Sequence, residues 1–314
     1  MKPTPLVRLP AVAGYRNVYI KDESVHPGGT FKDRLSQKAL ARYAPSTTFG
    51  AISYGNTALS FVRSLASDEH RRRFIAFVPE GLSEWTFGPS TSGGTVSGRV
   101  IYDFLVARAH VVTVRLEDGL LDDIALRHLA RLAGFKFHNF VNVTEGAEVP
   151  AYVDIIREAT EQLGRVPDFT LVQFGAGILC NEIVDFHNEA GHGQVLPFSV
   201  PNPESRAKML YGPIWIDTAE LQRSGSALSR HNSPDRTGQA RAPYLVHKLT
   251  EAMVEEGLAL AREFGLSAEP SGSAGLGFLA QLSTACGQVL DRDASILLIN
   301  TGNGIDALRA AADV

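Results

Sequence analysis

Short apolar runs alternate with amphipathic stretches along most of the chain. "NVYIKDE" (17–23), "FGAIS" (49–53), "FIAFV" (74–78), "HVVTVRL" (110–116), "DFTLVQF" (168–174) and "SILLIN" (295–300) have the length and character of strands. Residues 31–43, 57–66, 98–109, 121–134, 150–164 and 178–190 carry helical spacing instead. The alternation predicts parallel sheets covered by helices. Two polar segments break the rhythm, at 83–98 and 223–241. The first contains Trp85 and Phe87. Loops of that length are uncommon unless functional or disordered, so it reads as a mobile lid or partner surface, or else as a plain flexible insertion.

Composition narrows the class. The chain has 314 residues, 44% hydrophobic and 20% charged, enough for a sizeable core in one or two domains. A net charge of −4 gives no sign of a nucleic-acid or anionic-membrane partner. The basic cluster His70-Arg71-Arg72-Arg73 reads as a solvated helix end or loop. Two cysteines, Cys180 and Cys286, form no CxxC pair, which fits a reduced, cytoplasmic setting. No apolar run approaches the ~20 residues of a membrane span. The start of the chain lacks the apolar core of a signal peptide. The nine histidines show no HExxH-like spacing, so no metal site is expected.

In parallel α/β sheets, ligands gather beyond the carboxyl ends of strands. Four such junctions carry unusual residues. In "VHPGGTFKDRLSQKAL" (25–40), Gly28 and Gly29 permit a tight turn and Thr30 can cap a helix beginning near Phe31. Lys32 then falls in the first turn, where the positive end of the helix dipole disfavours its charge. It is either a solvated lysine or an amine tuned as a nucleophile. In "SYGNTALS" (53–60), the backbone N–H groups at the helix start can hold a carboxylate, and Asn56 can bond a ring oxygen. An ordinary Asn-Thr capped turn is the alternative. In "QFGAGILCNEI" (173–183), Gly175-Ala176-Gly177 opens a helix after a buried strand and suits a phosphate, although it lacks full GxGxxG spacing. In "LLINTGNG" (297–304), Thr301 either meets a heteroaromatic nitrogen or caps a turn. Together, a lysine, a carboxylate turn, a phosphate turn and a hydroxyl behind a strand are the parts of a pyridoxal phosphate (PLP) site.

The motifs "TPLVRLP", "KDESVHPGGTFKDR", "SYGNTALS", "EPSGSAGLGFL" (269–279) and "NTGNG" give the chain a resemblance to fold-type II PLP-dependent enzymes, threonine synthase most closely. The resemblance covers nearly the whole chain. It implies an α/β architecture of two three-layer αβα domains with mostly parallel sheets and the site in the cleft between them. The expected division is a smaller, mobile domain over 45–140 and a larger PLP-binding domain over 1–44 and 141–314, and a homodimer is expected. It also implies Lys32 as Schiff-base lysine, Asn56 beside the ring hydroxyl, Gly175, Ala176, Gly177 and Ile178 around the phosphate, and Thr301 at the ring nitrogen. Residues 269–273 look like a second wall near the site.

Ser53, Tyr54, Gly55, Asn56 and Thr57 are the candidates for binding an amino-acid substrate. A neutral Thr301 partner deepens the ring's electron sink less than an acidic one, which favours elimination or replacement over transamination. The expected activity is that of a PLP-dependent lyase or synthase, with Lys32 as the α-proton base. Threonine synthase, threonine or serine dehydratase and cysteine synthase-like β-replacement share the scaffold. The alternatives are a non-catalytic PLP-fold regulatory or protein-binding module, and a nucleotide-binding enzyme using Gly175–Gly177. Three departures from threonine synthases stand out. The phosphate loop is not G-N-A-G-N, no arginine follows Val141-Asn142, and "LYGPIW" (210–215) replaces I-G-N-P. They argue against O-phosphohomoserine as substrate.

Overall fold

The computed structural model describes residues 2–53, 55–70, 72–115, 123–135, 139–144, 149–202, 204–211, 226–229, 244–284 and 290–312. The strands are β1 (Leu6–Arg8), β2 (Asn17–Asp22), β3 (Thr48–Ile52), β4 (Arg73–Pro79), β5 (Thr86–Phe87), β6 (Val96–Ser97), β7 (His110–Val114), β8 (Phe140–Asn142), β9 (Phe169–Gln173), β10 (Gln194–Ser199), β11 (Ser226–Ser229), β12 (Tyr244–Lys248) and β13 (Ser295–Asn300). The helices are α1 (Lys32–Arg42), α2 (Asn56–Ala66), α3 (Gly98–Arg108), α4 (Asp123–Leu132), α5 (Val153–Leu163), α6 (Ile178–Ala190), α7 (Glu251–Glu263), α8 (Pro270–Thr284) and α9 (Gly304–Ala312).

Two units divide the chain. One comprises Met1–Val25, Pro89–Gly93 and Tyr152–Asn303, the other His26–Gly88, Gly94–Ala151 and Gly304–Val314. In this division α1, residues 141–151 and α9 group with the smaller unit, whereas the expected boundaries were at 45 and 140.

The larger unit is built on a seven-stranded sheet in the order β1-β2-β13-β9-β10-β12-β11. Its inner pairs are parallel, while β1 and β11 pair antiparallel at the edges. Val18, Ile20, Leu171, Phe198, Ile296 and Leu298 from the strands join Val254, Ala261, Ala274 and Phe278 from α7 and α8 in one core. Gly277 of α8 reflects close helix packing. A side chain at Gly277 would strike the backbone of Met253 and Gly257 in α7. A fully buried Lys21 pairs with Glu158 of α5 at 2.8 Å and fixes β2 to that helix.

A four-stranded parallel sheet, β7-β4-β3-β8, carries the smaller unit. Phe61 of α2 stacks on Phe74 at 5.2 Å and tilts against Phe49 at 5.3 Å. Arg72, expected to be solvated, has only 6% of its side chain exposed. Its guanidinium donates to the Leu40 carbonyl and lies 3.8 Å from Asp68, so the α2–β4 connection is held by the polar end of a buried arginine. Arg71 lies outside the described residues.

The segment 83–98 is more structured than its composition predicts. β5 and β6 pair antiparallel, and Phe87 is buried. Within the larger unit, Thr91 N donates to Ala268 O at 2.8 Å and Ala268 N to Thr91 Oγ1 at 3.0 Å. Arg262 donates to the carbonyls of Ser90 and Thr91 at 3.1 and 3.2 Å.

Candidate active site

In the smaller unit the chain turns at Gly29, whose N–H donates to His26 O at 2.7 Å and whose φ is +72°. Bonds from Asp33 N to Thr30 O and from Arg34 N to Phe31 O, both 3.1 Å, lead into α1 as a tight i to i+3 turn. Lys32 is therefore the first helical residue, with Nζ 4.5 Å from the Phe31 ring centroid. The cap differs from expectation. Phe31 occupies the N-cap, and the Thr30 hydroxyl accepts from the Lys32 N–H at 3.4 Å. The tight entry turn has moved the helix start one residue past the position Thr30 would cap.

The second candidate junction follows β3 in the same unit. Ser53 Oγ accepts from Ala58 N at 3.0 Å and from Gly55 N at 3.5 Å. Its hydroxyl thus caps α2 from three residues upstream of Asn56. Asn56 opens that helix, with Thr57 after it. The Asn56 amide lies against Gly304, the last residue of "NTGNG", where any Cβ would overlap Oδ1. Tyr54 lies outside the described residues. A groove of about 630 Å³ in this unit is lined by Gly28 and Asp33, by Arg63 and Ser64, and by Asp68 and Arg72, among others, but not by Lys32.

The larger unit brings the other candidates together on neighbouring strands. β9 ends at Gln173 and turns through Phe174-Gly175-Ala176-Gly177 into α6, whose first residue is Ile178. Gly177 is the N-cap at φ +84°, a conformation that disfavours any side chain. Gly175 is small for a different reason: a Cβ there would sit 2.8 Å from the Met209 carbonyl. The turn at Lys208–Leu210 is therefore packed on the glycine turn.

Adjacent β13 ends at Asn300, followed by Thr301, which is buried. Glu269–Ser273 lies beside it, with Glu269 N donating to Gly302 O at 3.0 Å. A Cβ at Gly272 would crowd Asn300 Oδ1 and Gly302 O. Asn300 Nδ2 donates to Asp22 Oδ1 at 2.9 Å and to Ser267 O at 2.8 Å, which locks the strand end before Thr301.

Two residues were missed in the sequence and matter here. Gln173 is buried at the end of β9, and its Nε2 donates to Ile299 O at 2.6 Å. A glutamine closing an apolar strand just before a glycine turn was the available signal. Tyr244 of β12 donates to Asn181 in the first turns of α6 and packs edge-on against Phe174 at 6.1 Å. It follows the second polar loop and gave no periodic signal.

The donor set of the larger unit fits an anionic ring compound. A helix N-terminus behind small residues suits a phosphate, and Thr301 supplies a hydroxyl one strand away. Gln173 Oε1 is buried without a hydrogen-bond partner among the described residues. Among the described residues no group of three or more His, Cys, Asp or Glu is arranged to hold a metal. No described helix is long and apolar enough to cross a membrane.

Relatives agree with this chemistry. The threonine synthase of Methanocaldococcus jannaschii is 26% identical over 337 residues, covering 99% of this chain and 77% of its own. That of Synechocystis is 26% identical over 329 residues, covering 96% and 76%. The diaminopropionate ammonia lyase of Escherichia coli, solved with an aminoacrylate–PLP azomethine reaction intermediate, shares the fold with a TM-score of 0.65 at 17% identity, over 99% of this chain and 88% of that one. Residues 1–302 match the family described as "Pyridoxal-phosphate dependent enzyme". The chain belongs to that family, with fold type II architecture and pyridoxal 5′-phosphate as its cofactor.

Proposed function

We propose that this protein is a threonine synthase-like lyase or synthase that eliminates or replaces a substituent of an amino-acid substrate. The observation that carries the reading is in the larger unit, where the β9 glycine turn and the Thr301 hydroxyl occupy neighbouring strand ends. When bound, the cofactor supplies an electron sink that acidifies the substrate Cα–H. Gly175, Ala176, Gly177 and Ile178 offer backbone N–H groups to its phosphate, and Thr301 offers a neutral hydroxyl to its ring nitrogen. Asn56 would be the partner of its ring hydroxyl. Lys32 Nζ is the primary amine that would hold the aldehyde carbon, and the same atom would serve as base for the α-proton. Lys32 is the first residue of α1, at the positive end of that helix's dipole.

The carboxylate of the substrate is assigned to the first turn of α2. Ser53 commits its hydroxyl to Ala58 N–H and so fixes that turn. Gly55, Asn56 and Thr57 are the donors of the reading, with Tyr54 as a side-chain contact. The neutral partner at Thr301 weakens the sink and so favours prompt loss of a leaving group. That points to elimination or replacement over transamination.

Borohydride reduction of the holoenzyme, followed by peptide mass analysis, tests the assignment of Lys32. The reduced cofactor is expected on the peptide containing Lys32 and absent from Lys32→Ala; attachment at any other lysine would overturn it. Assays with threonine, serine, O-acetylserine, O-phosphoserine and O-phosphohomoserine then test the class. α-Keto acid release or substituent replacement is expected with at least one. Transamination as the main product would reject the reading.

A further inference from the structure

The ladder between β9 and β13 stops before either strand does. Ile296, Leu297 and Leu298 pair with Phe169, Thr170 and Leu171, and no pair follows. Both strands continue with their outer neighbours: β9 pairs with β10 as far as Gln173, and β13 with β2 as far as Asn300. The sheet therefore splits over its last two residues on the side where the glycine turn and Thr301 emerge. Gln173 fills the split. Its Nε2 donates to Ile299 O at 2.6 Å and faces Ser271 O and Gly272 O at 3.3 and 3.4 Å. The residue is 5% exposed. One amide thus replaces the missing ladder bond and also ties the start of α8 to the same place.

We infer that Gln173 is a positioning residue that sets the spacing between the phosphate turn and Thr301, and so matches the sheet to a ligand anchored at both points. The inference rests on the cofactor orientation proposed above. A phosphate held at Gly175–Gly177 and a ring nitrogen held at Thr301 form a rigid span, and the split between β9 and β13 determines whether the protein meets both ends at once. Without the bridge, the gap closes by ladder pairing or widens by side-chain packing, and one anchor is lost. A ligand held at one end only has no such requirement.

Pyridoxal, which lacks the phosphate, supplies the discriminating probe. The Kd values for pyridoxal 5′-phosphate and for pyridoxal are measured by titrating the apoprotein, for the wild type, Gln173→Met and Gly177→Val. Gln173→Met keeps the length of the side chain and removes the donor. It is expected to weaken pyridoxal 5′-phosphate binding about tenfold, the effect of one buried hydrogen bond, with less change for pyridoxal. Gln173→Asn keeps the amide but is too short to span the split, and is expected to behave in the same way if the Met variant does not fold. A parallel loss for both ligands, or no loss for either, would overturn the spacing role. Gly177→Val reports on the underlying orientation separately: if it leaves the preference for the phosphorylated ligand intact, the phosphate lies elsewhere and both assignments fall.

Discussion

The Gly28 amide donates to Asp33 Oδ2 at 2.6 Å, so the residue after Lys32 holds the turn that precedes it. Asp33 is buried, and it sits in the first turn of α1 where a carboxylate complements the helix dipole. A side chain at Gly28 would collide with that carboxylate. Gly28→Ala is therefore expected to dislodge Asp33 and slow attachment of the cofactor at Lys32. Asp33→Ala removes a charge-assisted hydrogen bond and should lower stability by about 1.5–3 kcal/mol. Thermal unfolding and the borohydride-trapped fraction check both variants. A Gly28→Ala protein unchanged in both would show that this contact does not shape the turn.

Lys21 gives a second prediction, in the larger unit. It donates to Thr4 O at 2.6 Å and to Gln162 Oε1 at 3.0 Å besides its ion pair with Glu158. Lys21→Met leaves Glu158 facing an apolar chain, and removing one partner of a buried pair is expected to cost about 3 kcal/mol. Glu158 keeps 14% of its side chain in water, which places the effect at the lower end of the known range. Lys21→Met combined with Glu158→Leu should recover part of the loss, because no charge is then stranded. Urea denaturation measures both, and a double variant less stable than the single one would count against this account.

His187 makes stability depend on pH. Its Nδ1 faces His192 O at 2.9 Å, which requires the proton there, and Nε2 then accepts from Thr170 Oγ1 at 3.0 Å. Burial lowers its pKa below 6.5, outweighing the opposite pull of the His192 carbonyl. Below about pH 6.5 the unfolded chain takes up a proton that the native state resists, so stability falls as pH drops toward the folded value. His247, also lowered by burial, adds to the same slope. Asp168 acts at lower pH. Its bonds from Ser295 hold its pKa below 3.8, so its contribution is present above that value and lost as pH falls through the folded one. The urea midpoint should therefore drop between pH 7 and pH 5.5, and drop less in His187→Gln. Equal slopes would remove His187 from the explanation.

Where local pattern and tertiary role agree, the sequence was legible. The apolar runs at 49–53, 74–78 and 295–300 are central strands, and the glycine turn after "LVQF" is a strand–helix junction as read. β10 was not foreseen, because Pro197 argues against a buried strand. It is tolerated there because β10 pairs with β12 only from Phe198 onward. α8 was hidden by three glycines that lower helix propensity, one of which, Gly277, lets α7 approach closely. Arg72 looked solvated because a basic run usually is, and its burial depends on a carbonyl of α1 that is distant in sequence. The pairing of Gln173 with Ile299 likewise joins residues 126 positions apart, which no local spacing reveals.

The last prediction concerns the substrate's leaving group. Resemblance to threonine synthases places a phosphate-binding arginine shortly after Val141-Asn142, and this chain has Val143 and Thr144 there. Both are already used by the fold. Val143 N donates to Gly50 O at 2.8 Å, and Thr144 Oγ1 accepts from Ile52 N at 2.9 Å, one residue before Ser53. Glu145 and Glu148, which follow, lie outside the described residues; their carboxylates add like charge to the segment. In the larger unit, Arg206 is engaged by Glu255 at 2.8 Å and Glu251 at 3.6 Å. An Arg–phosphate contact is among the stronger hydrogen bonds, and its loss lowers kcat/KM about tenfold or more. O-Phosphohomoserine is therefore expected to be turned over less efficiently than an O-acetylated analogue. Lys208, next to the Met209 carbonyl that packs on Gly175, is the residue that tests the opposite outcome. A clear preference for the phosphorylated substrate in the wild type, lost in Lys208→Ala, would reverse the prediction and make Lys208 the substitute for the missing arginine.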